Sequence, residues 1–326
     1  DIRWEKTTTV NVGVDFALFR HRITGTIEYY NKYSVDLLAA INGSPTQGFG
    51  YTTLMTNNGK MVNRGVEITL SGEIIRQKDF SWNASLLYAF NRNKVKHISV
   101  QPSLWDSRIS MPTSYPMVGK PLYGIYAYKW AGLNENGDPQ VYDAENNVTS
   151  GPARDYHALV YCGTTVPIHN ASLTNVLRYK GFEFSAMLIL DAGHKLRSSN
   201  IPSINMSNGR ITSTAKGIVD RWTQPGDVTD VPRLLFSNDT ENFNTHRTEL
   251  YRYSDLFVYD ASNIRLSNIS LAYRVPAHWC KKISLSGARL QFNVENVATF
   301  AFDSKANYDL GGKVKPNYVW GLYLNF

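Results

Sequence analysis

The spacing that comes nearest to a metal site lies in the acidic stretch Asn134–Asp138, which begins like a calcium loop. Gln140, Tyr142 and Glu145 follow at offsets that suit further oxygen ligands. Such a loop needs a glycine at its sixth place for a sharp turn, and Pro139 occupies that place. We therefore interpret the stretch as a polar turn, and we predict neither a metal site nor any other cofactor.

Catalytic patterns are also missing from the sequence. The histidines do not show H-E-x-x-H or a comparable ligand spacing, and there is no G-x-S-x-G nucleophile elbow. Asp255 with Asp260, and Asp227 with Asp230, have the residue types for paired-carboxylate chemistry. Both pairs lie in polar sequence, which favours solvated acids over catalytic groups. The sequence predicts that the protein is not an enzyme.

Composition narrows the class of protein further. Of the 326 residues, 19% are charged, below the ~25% of soluble domains, and 13% are aromatic. Tyrosine and tryptophan combine an apolar ring with a polar tip, so they suit a membrane–water boundary or a sugar-stacking surface. The net charge of +7 is spread along the chain. This favours a solvated basic surface, or contact with anionic lipid head groups, over a nucleic-acid partner.

The apolar runs and the cysteines exclude two further kinds of structure. No segment approaches the ~18 apolar residues of a membrane-spanning helix, and Ala186–Leu190 is among the longest apolar runs. The chain could therefore meet a bilayer only with strands. Cys162 and Cys280 are too far apart for a C-x-x-C redox or zinc motif. Each is interpreted as a small buried or loop residue.

Several segments of the sequence alternate with a period of two residues, which is the pattern of β-strands. Between Thr8 and Leu18, apolar residues at even positions alternate with polar or small residues at odd positions. The alternation returns in segments 65–71, 80–91, 289–295 and 318–326. It places an apolar row on one face of each strand and a polar row on the other. We predict that Val12, Val14, Leu86, Leu188 and Phe292 face lipid, and that Asn11, Asn83 and Gln291 face a lumen.

Soluble β-sandwiches alternate as well, so strand length and polarity must decide between the two folds. The alternating runs exceed the ~5–6 residues of an average globular strand and reach the ~9–11 residues of a transmembrane strand. Asn, Gln, Arg and Glu recur on the second face, where a dry core excludes them and a hydrated lumen accepts them. We predict an all-β fold, a transmembrane antiparallel β-barrel.

Connection lengths orient the strands. Short connections at 20–22, 76–79, 180–181 and 276–282 alternate with long ones at about 38–60, 98–170, 198–255 and 303–316, as periplasmic turns and extracellular loops do. The predicted strands are 4–19, 22–37, 61–75, 80–97, 170–179, 182–197, 256–275, 283–302 and 317–326. The extended stretch Leu122–Leu133 would break this alternation if it crossed the membrane, so it is assigned to an extracellular connection.

The number of predicted strands is odd, and the first strand begins on the outer side. Single-chain bacterial barrels have an even number of strands and both termini on the periplasmic side. We therefore expect residues 1–326 to be the C-terminal part of a larger barrel whose first strands are absent from this chain.

Several segments, spaced through the whole chain, resemble one known family in sequence and in order. They are Trp4–Phe19, Arg22–Tyr30, Asn63–Leu70, Arg221–Asp227, Asp260–Tyr273 and the closing aromatic strand. The family is the SusC/RagA-like group of TonB-dependent outer-membrane transporters. Only the later part of the family's barrel is covered, and its TonB box and plug domain have no counterpart here. Glu295–Phe300 follows the family's Asn-Leu-Phe pattern only loosely.

This resemblance implies active import across the outer membrane of a Gram-negative bacterium. Family members form a plugged barrel of the ~22-strand class. A SusD-like surface lipoprotein caps the barrel, and the TonB complex acts on the plug to admit the substrate. The substrates are oligosaccharides or oligopeptides. The expected partners are therefore the lipoprotein, the TonB complex through the missing plug region, outer-membrane lipid and the substrate.

Within this resemblance, loop aromatics are the candidate contacts to substrate or partner, since an aromatic face stacks on the apolar face of a pyranose ring. They are Trp105, Tyr115, Trp222, Phe236 and Phe243. Packing within the loops is the alternative role for each. The connection Ser198–Asp255 shows little alternation and is expected to form part of an extracellular mouth. Two other classes stay open: a passive porin, and a soluble or surface-attached glycan-binding β-protein.

Overall fold

The structure is a computed structural model that describes residues 2–42, 53–100, 107–151, 155–207, 210–234, 245–310 and 315–326. The strands are β1 Lys6–Leu18, β2 Ile23–Asn42, β3 Thr53–Arg76, β4 Phe80–His97, β5 Gly124–Tyr128, β6 Trp130–Leu133, β7 Pro139–Tyr142, β8 Val148–Thr149, β9 Leu159–Thr164, β10 His169–Tyr179, β11 Phe182–Ala192, β12 Lys195–Arg197, β13 Ile204–Ser207, β14 Arg210–Thr214, β15 Val258–Asp260, β16 Asn263–Arg274, β17 Gly287–Ala301 and β18 Asn317–Asn325. The α-helices are α1 Ser107–Ser110, α2 Thr245–Arg252, α3 Ala277–Lys281 and α4 Asn307–Leu310, and 3-10 turns cover Tyr156–Ala158, Lys216–Asp220, Asp255–Phe257 and Ser304–Ala306. Among these, no helix has the length and apolar character needed to span a membrane.

Across the described ranges, nine strands form one antiparallel sheet in the order β1-β2-β3-β4-β10-β11-β16-β17-β18. These are the nine strands predicted from alternation and connection lengths, in the predicted order along the chain. Tight turns join β1 to β2, β3 to β4 and β10 to β11 at one end of the sheet, which we call the short-turn end. The connection from β16 to β17 at the same end contains α3 and is longer than predicted.

The register places the predicted apolar and polar residues on opposite sides of the sheet. Cross-strand pairs align Val14, Ile27, Ile68, Tyr88, Ala171, Leu190, Ile264 and Phe300 in one row. The next row is Gly13, Glu28, Glu67, Ala89, Asn170, Asp191, Asn263 and Ala301. Successive residues of a strand point to opposite faces. Val12, Val14, Leu86, Leu188 and Phe292 therefore share an apolar face, and Asn11, Asn83 and Gln291 share a polar face, as predicted.

β2 and β3 extend beyond the limits that the sequence indicated. β2 continues to Asn42 and β3 begins at Thr53, although a connection was predicted over 38–60. The register shifts on both sides of Leu37, and Asp36 has a positive φ of 56°. Such a bulge adds a residue to one strand and interrupts the alternation. The sequence pattern therefore ended before the strands did.

Two other predicted strands are shorter than expected. β11 ends at Ala192 instead of continuing to residue 197, because Gly193 follows with a φ of +79°. β12 pairs with β15 in a separate small sheet, so the strand predicted over 256–275 enters the nine-stranded sheet only at Asn263. β5 and β6 lie outside that sheet, which confirms the assignment of Leu122–Leu133 to a connection.

The long connections fold into a unit of their own. We call the described residues of 107–168 and 193–262 the loop cluster. Its core consists of Tyr126, Tyr128, Val141, Ala158, Leu159 and Leu250, none of them more than 5% exposed. These residues come from strands β5, β7 and β9, from a 3-10 turn and from α2, so the core joins both of the longest connections. The connection after Ser198 also carries the hairpin β13–β14 and α2, more regular structure than its sequence indicated.

Candidate functional site

An ion cluster around Asp138 joins distant parts of the loop cluster. Arg247 Nε donates to Asp138 Oδ1 at 2.6 Å, and Arg233 Nε donates to the same oxygen at 3.1 Å. The Arg247 and Asp138 side chains are only 12% and 22% exposed. Burial lowers the pKa of the Arg247 guanidinium, and the Asp138 carboxylate opposes that shift. Breaking such a pair leaves a charge without a partner, so the cluster fixes α2 against the turn before β7.

Arg197 provides a second joint, between β12 and the core of the loop cluster. Its guanidinium donates to the carbonyl oxygen of Tyr126 at 2.6 Å and to that of Ser254 at 3.3 Å. Next to it, Ser198 Oγ donates to Asp309 Oδ2 at 2.7 Å, which brings in the connection between β17 and β18. Hydrogen bonds therefore hold the long connections together at the end of the sheet opposite the short-turn end.

Trp222 is the predicted site residue whose surroundings are best defined. Its ring packs against Gly137, which has a φ of +74° and where an added Cβ atom would collide with the ring. Its backbone N–H donates to the carbonyl oxygen of Val231 at 2.8 Å, and its side chain stays partly exposed. Trp222 therefore combines packing within the loop cluster with partial access to solvent.

A tight polar turn follows Trp222. The Asp227 carboxylate accepts hydrogen bonds from Thr223 N at 2.8 Å and Gln224 N at 3.0 Å, and these bonds lower the pKa of Asp227. Gly226 supplies the positive φ of 98° that the turn requires. This segment, which carried part of the family resemblance, is thus a structural turn.

Two valines project from the same connection. Val219 is 72% exposed, and Val228, at the turn after Trp222, is fully exposed. Loop tips of this kind, carried on a rigid scaffold, are where binding residues concentrate. Neither valine was predicted from the sequence, because neither lies in an alternating run.

The other predicted site residues are less informative. Tyr115 lies half-buried in the turns after α1, where its N–H donates to the Met111 carbonyl at 3.2 Å. It belongs to a different connection from Trp222. Trp105, Phe236 and Phe243 lie outside the described residues.

Trp130 engages one acid from each of the two carboxylate pairs considered for catalysis. Its backbone N donates to Asp255 Oδ1 at 2.9 Å, and its Nε1 donates to Asp230 Oδ1 at 3.0 Å. Its ring lies 5.8 Å from that of Tyr251. These acids therefore serve as hydrogen-bond acceptors that orient a tryptophan.

Asp260 closes the small sheet of β12 and β15. Its carboxylate lies 3.0 Å from Lys195 Nζ, with both side chains more than a third exposed. Burial raises the pKa of Asp260, but hydrogen bonds from Ser262 and the contact with Lys195 outweigh burial and hold the pKa at about 2. A carboxyl with this pKa is ionised at neutral pH and does not act as a general acid.

The polar face carries charged side chains that pair across strands. Glu183 accepts from Arg178 at 2.7 Å and from Arg289 at 3.1 Å, and Asp191 accepts from Arg265 at 3.1 Å. Such a density of paired charges is unsuited to a dry protein core. The pattern indicates a face in contact with water or with another polar surface.

Glu28 and Glu67 stand out on the polar face because they lie directly opposite each other. Directly opposed like charges destabilise a sheet. Within the described residues, neither carboxylate has a hydrogen bond or an ion pair. The pair therefore requires water or a cationic group on this side of the sheet.

The cysteines and metal-binding residue types add no reactive centre. Cys162 and Cys280 are both free, and burial raises the pKa of the Cys162 thiol to about 11, which leaves it unreactive. In the part of the chain that the structure describes, no group of three or more His, Cys, Asp or Glu side chains is arranged to hold a metal.

The Asp138 cluster and the Arg197 joint were not predicted from the sequence. No local pattern connects Asp138 with Arg233 and Arg247, because Asp138 lies on the connection between β4 and β10 and both arginines lie on the connection between β11 and β16. The one signal of this cluster in the sequence was the polar turn Asn134–Asp138. Asn134 Oδ1 accepts from Asn136 N and Asp138 N, both at 2.9 Å, which confirms the interpretation of Asn134–Asp138 as a polar turn.

Comparison with known proteins identifies a family and several relatives that are similar to this chain. Residues 1–297 match the family described as TonB dependent receptor-like, beta-barrel. TonB-dependent receptor P3 of Formosa agariphila is 25% identical over 99% of this chain and 33% of its own length. TonB-dependent receptor SusC of Bacteroides thetaiotaomicron is 26% identical over 91% of this chain and 29% of its own length. The chain thus spans about a third of the length of these curated relatives.

Solved structures show the same fold. The RagAB peptide transporter superposes with a TM-score of 0.74 at 22% identity, covering 99% of this chain and 36% of the other. The RagAB peptide importer in its open-open state gives a TM-score of 0.76 at 22% identity, covering 100% of this chain and 35% of the other.

The predicted fold class is confirmed by these matches, and the family's named members are receptors and transporters rather than enzymes. TonB-dependent receptor barrels are outer-membrane proteins of Gram-negative bacteria, and the nine-stranded sheet with its apolar and polar faces agrees with such a barrel wall. The chain belongs to the TonB dependent receptor-like, beta-barrel family.

Proposed function

We propose that residues 1–326 form the C-terminal part of an outer-membrane barrel that actively imports oligosaccharides or oligopeptides. In this proposal the apolar face meets lipid, the polar face lines the lumen, and the loop cluster lies outside the cell. The TonB complex drives import through a plug, and a SusD-like lipoprotein closes the barrel from above. The observation that carries the proposal is the nine-stranded sheet, apolar on one face and charged on the other.

The apolar face supports a lipid environment. Val12 and Val14 are each 61% exposed, Leu322 is 61% exposed and Trp320 is 78% exposed. An apolar surface this large and continuous is a liability in water. In a bilayer it is the outward surface of a barrel, and backbone hydrogen bonds between strands satisfy the polar groups that lipid cannot.

The polar face supports an occupied, hydrated lumen. The opposed carboxylates of Glu28 and Glu67 need cations or water, and the ion pairs of Glu183 and Asp191 would be costly in a dry interior. A plug domain with basic side chains on its surface would meet both needs. Water alone would also do so, which is why a passive porin is the main rival.

The loop cluster supports a rigid mouth. Its core and its ion cluster at Asp138 hold Trp222 and the tip with Val228 in place, and no residue of that core or cluster belongs to the nine-stranded sheet. A preorganised surface loses little conformational entropy when it binds. We therefore propose that Trp222, with Trp105, Tyr115, Phe236 and Phe243, contributes to contacts with the substrate or the lipoprotein.

The proposed substrate class is inferred from similar proteins and includes both oligosaccharides and oligopeptides. RagAB, whose solved structures resemble this chain, is a peptide transporter or importer, and SusC is a TonB-dependent receptor. Aromatic side chains at a mouth suit both the apolar face of a sugar ring and the side chains of a peptide.

The test is an uptake assay with the full-length protein in its own outer membrane. A strain lacking the gene, complemented with the wild type, is given labelled oligosaccharide and oligopeptide pools with and without a functional TonB complex. We expect uptake of one pool, abolished by loss of TonB or of the membrane potential. Uptake that persists without TonB would identify a passive porin. Recovery of the protein in the soluble fraction would identify a soluble glycan-binding protein.

Deletion of the tip residues 224–228 tests the mouth separately. These residues extend beyond the hydrogen bond between Trp222 and Val231, so their loss should leave the barrel and the loop core intact. We expect normal amounts of barrel in the outer membrane with slower uptake or weaker lipoprotein association. Normal uptake and association would remove this tip from the proposed mouth.

A further inference from the structure

Two arginines form a like-charged pair on the apolar face of the sheet. Arg64 of β3 and Arg92 of β4 are direct cross-strand partners, and both are exposed. Asn31 completes the row on β2 and accepts from Arg64 Nε at 3.0 Å. Lys94 follows on the same face, two residues further along β4. In an otherwise apolar surface, such a concentration of cations needs a physical reason.

The position of this basic row coincides with the edge of the apolar band. In β4 the band runs from Trp82, near the short-turn end, to Phe90, a span that suits the ~9–11 residues of a membrane-crossing strand. Aromatic rings border the row from below: Phe90 lies 5.3 Å from the His169 ring, and Tyr88 hydrogen-bonds His169 at 2.8 Å. Aromatic rings next to cations are typical of the level of lipid head groups.

A notch in the wall lies beside the row. The edge of β4 bonds to the carbonyl of Ile168 through Asn91 N at 2.9 Å, and then to Lys120 O through Val95 N at 2.9 Å. β10 begins only at His169, opposite Phe90, so β4 extends beyond it at this end. A cavity of about 480 Å³ opens there, between the two hydrogen bonds. Arg92, Lys94 and Lys120 contribute its cations, and no acidic residue lines it.

The cations of the notch are free to bind an anion. Within the described residues, neither the Arg92 nor the Lys94 side chain has a hydrogen bond or an ion pair, and both are exposed. Lys120 Nζ lies 4.9 Å from the centre of the Tyr161 ring, which leaves its N–H donors available. Val166, Pro167 and Ile168 line the same cavity with apolar surface. The site therefore combines three cations that can bind an anion with an apolar lining, in which Phe90 also belongs to the apolar face of the sheet.

We propose that this notch binds the phosphorylated head group of an outer-leaflet lipid. This assignment rests on the proposed function, in which the apolar face meets lipid and the loop cluster lies outside the cell. Arg92, Lys94 and Lys120, with Arg64 beside them, meet the phosphate, and the acyl chains descend along Phe90 and the apolar face. Arginine suits this role because its planar donors match phosphate oxygens.

The test is native mass spectrometry of the full-length protein purified in mild detergent, with lipid A, dephosphorylated lipid A and inorganic phosphate as probes. The triple variant Arg64→Gln, Arg92→Gln, Lys94→Gln removes the basic row. The matched control Arg20→Gln, Arg76→Gln, Lys180→Gln removes the same charge at the short-turn end. Heat-modifiable migration on a gel establishes that each variant is folded. If the triple variant does not fold, Arg92→Gln alone and the charge-keeping Arg64→Lys, Arg92→Lys variant replace it.

We expect the wild type and the control to retain lipid A, with at least tenfold less retained by the triple variant and by wild type offered dephosphorylated lipid A. Equal retention by the triple variant or of the dephosphorylated lipid would overturn the proposal. Binding of inorganic phosphate by a wild type that does not retain lipid A would also overturn the proposal, because the notch would then be a site for the free ion only. Uptake by the wild type is measured in parallel. If the wild type retains lipid A but shows no TonB-dependent uptake, the result counts only against the proposed function.

Discussion

The nine-stranded sheet and the loop cluster solve the burial problem in opposite ways. The loop cluster encloses its own apolar core, in which Val141 is 0% and Tyr126 is 1% exposed. The sheet buries little on either face, and apolar residues such as Trp320 on β18 stay 78% exposed. A sheet normally covers its apolar side with another layer of the protein. Here no described layer covers it, so the second layer must come from outside the described residues.

Two different solvents account for the two arrangements. The loop cluster is built as a water-soluble domain, with hydrophobic residues inside and paired charges near the surface. The sheet reverses this order, since apolar side chains face outward and charges line the opposite face. Water explains the first arrangement, and lipid explains the second. Four substitutions test this difference between the two regions.

The largest effect is expected in the loop cluster. Arg247→Met removes the less exposed of the two arginines that pair with Asp138 and, among the described residues, leaves this half-buried carboxylate with Arg233 as its charged partner. Breaking a buried ion pair costs about 3–5 kcal/mol. We expect rapid proteolysis in residues 107–168 and 193–262 while the barrel still migrates as a heat-modifiable band. Arg76→Gln, which removes an exposed pair with Glu73, is the control and should leave the loops resistant.

Coupling between the regions would give a different result. If Arg247→Met also prevented assembly of the barrel, the loop cluster would be part of the sheet's folding unit. The two regions would then not be independent, even though the loop cluster keeps a core of its own.

The second effect concerns the sheet. Val14→Arg places a cation on the apolar face, where lipid-facing Arg costs about 2–4 kcal/mol at mid-bilayer. Asn83→Arg places the same side chain on the polar face, where water is available. We expect the first variant to assemble poorly in the outer membrane and the second to assemble normally, as judged by heat-modifiability. Equal behaviour of the two variants would show that the apolar face does not contact lipid.

The two regions also differ in how far the sequence predicts them. All nine sheet strands were predicted from period-two alternation together with connection lengths, because a strand between two environments must alternate. The prediction was wrong where backbone geometry broke the pattern, at the Asp36 bulge in β2 and at Gly193 after β11. The family resemblance favoured a transporter, and a passive porin and a soluble or surface-attached glycan-binding β-protein stayed open as alternatives.

The candidate site was far less accessible from sequence. Trp222 was identified, but its packing on Gly137 depends on a turn in an earlier connection of the chain. Asp138, Arg233 and Arg247 meet only because the core of the loop cluster brings distant connections together. Interactions of this kind have no period and no fixed spacing, so a pattern search cannot find them.

The third effect concerns recognition by the loop cluster. Trp222→Ala removes an aromatic ring from the proposed mouth, and one stacking ring contributes about 0.5–1.5 kcal/mol beyond its buried area. We expect weaker binding of whichever labelled substrate the uptake assay identifies, measured by titration of the purified full-length protein. Trp279→Ala is the matched control, since Trp279 is 54% exposed on α3 at the short-turn end. Equal affinity for the Trp222→Ala variant and the wild type would leave Trp222 with a packing role only.

The smallest effect tests the joint between the two regions. Asp260 lies where β15 leads into β16, and its pKa of about 2 is below the ordinary value of 3.8. A depressed carboxyl pKa stabilises the folded state above the unfolded pKa, and this stabilisation is lost as the pH falls from 3.8 towards 2. We expect amide exchange in β12 and β15 to accelerate over that window in the wild type. In Asp260→Asn exchange should already be faster at neutral pH and should lack this acid step. Asp155→Asn removes another carboxyl with a lowered pKa, whose partner is His157, and should leave β12 and β15 unchanged. An acid step of the same size in wild type and Asp260→Asn would show that the Lys195 contact does not hold this joint.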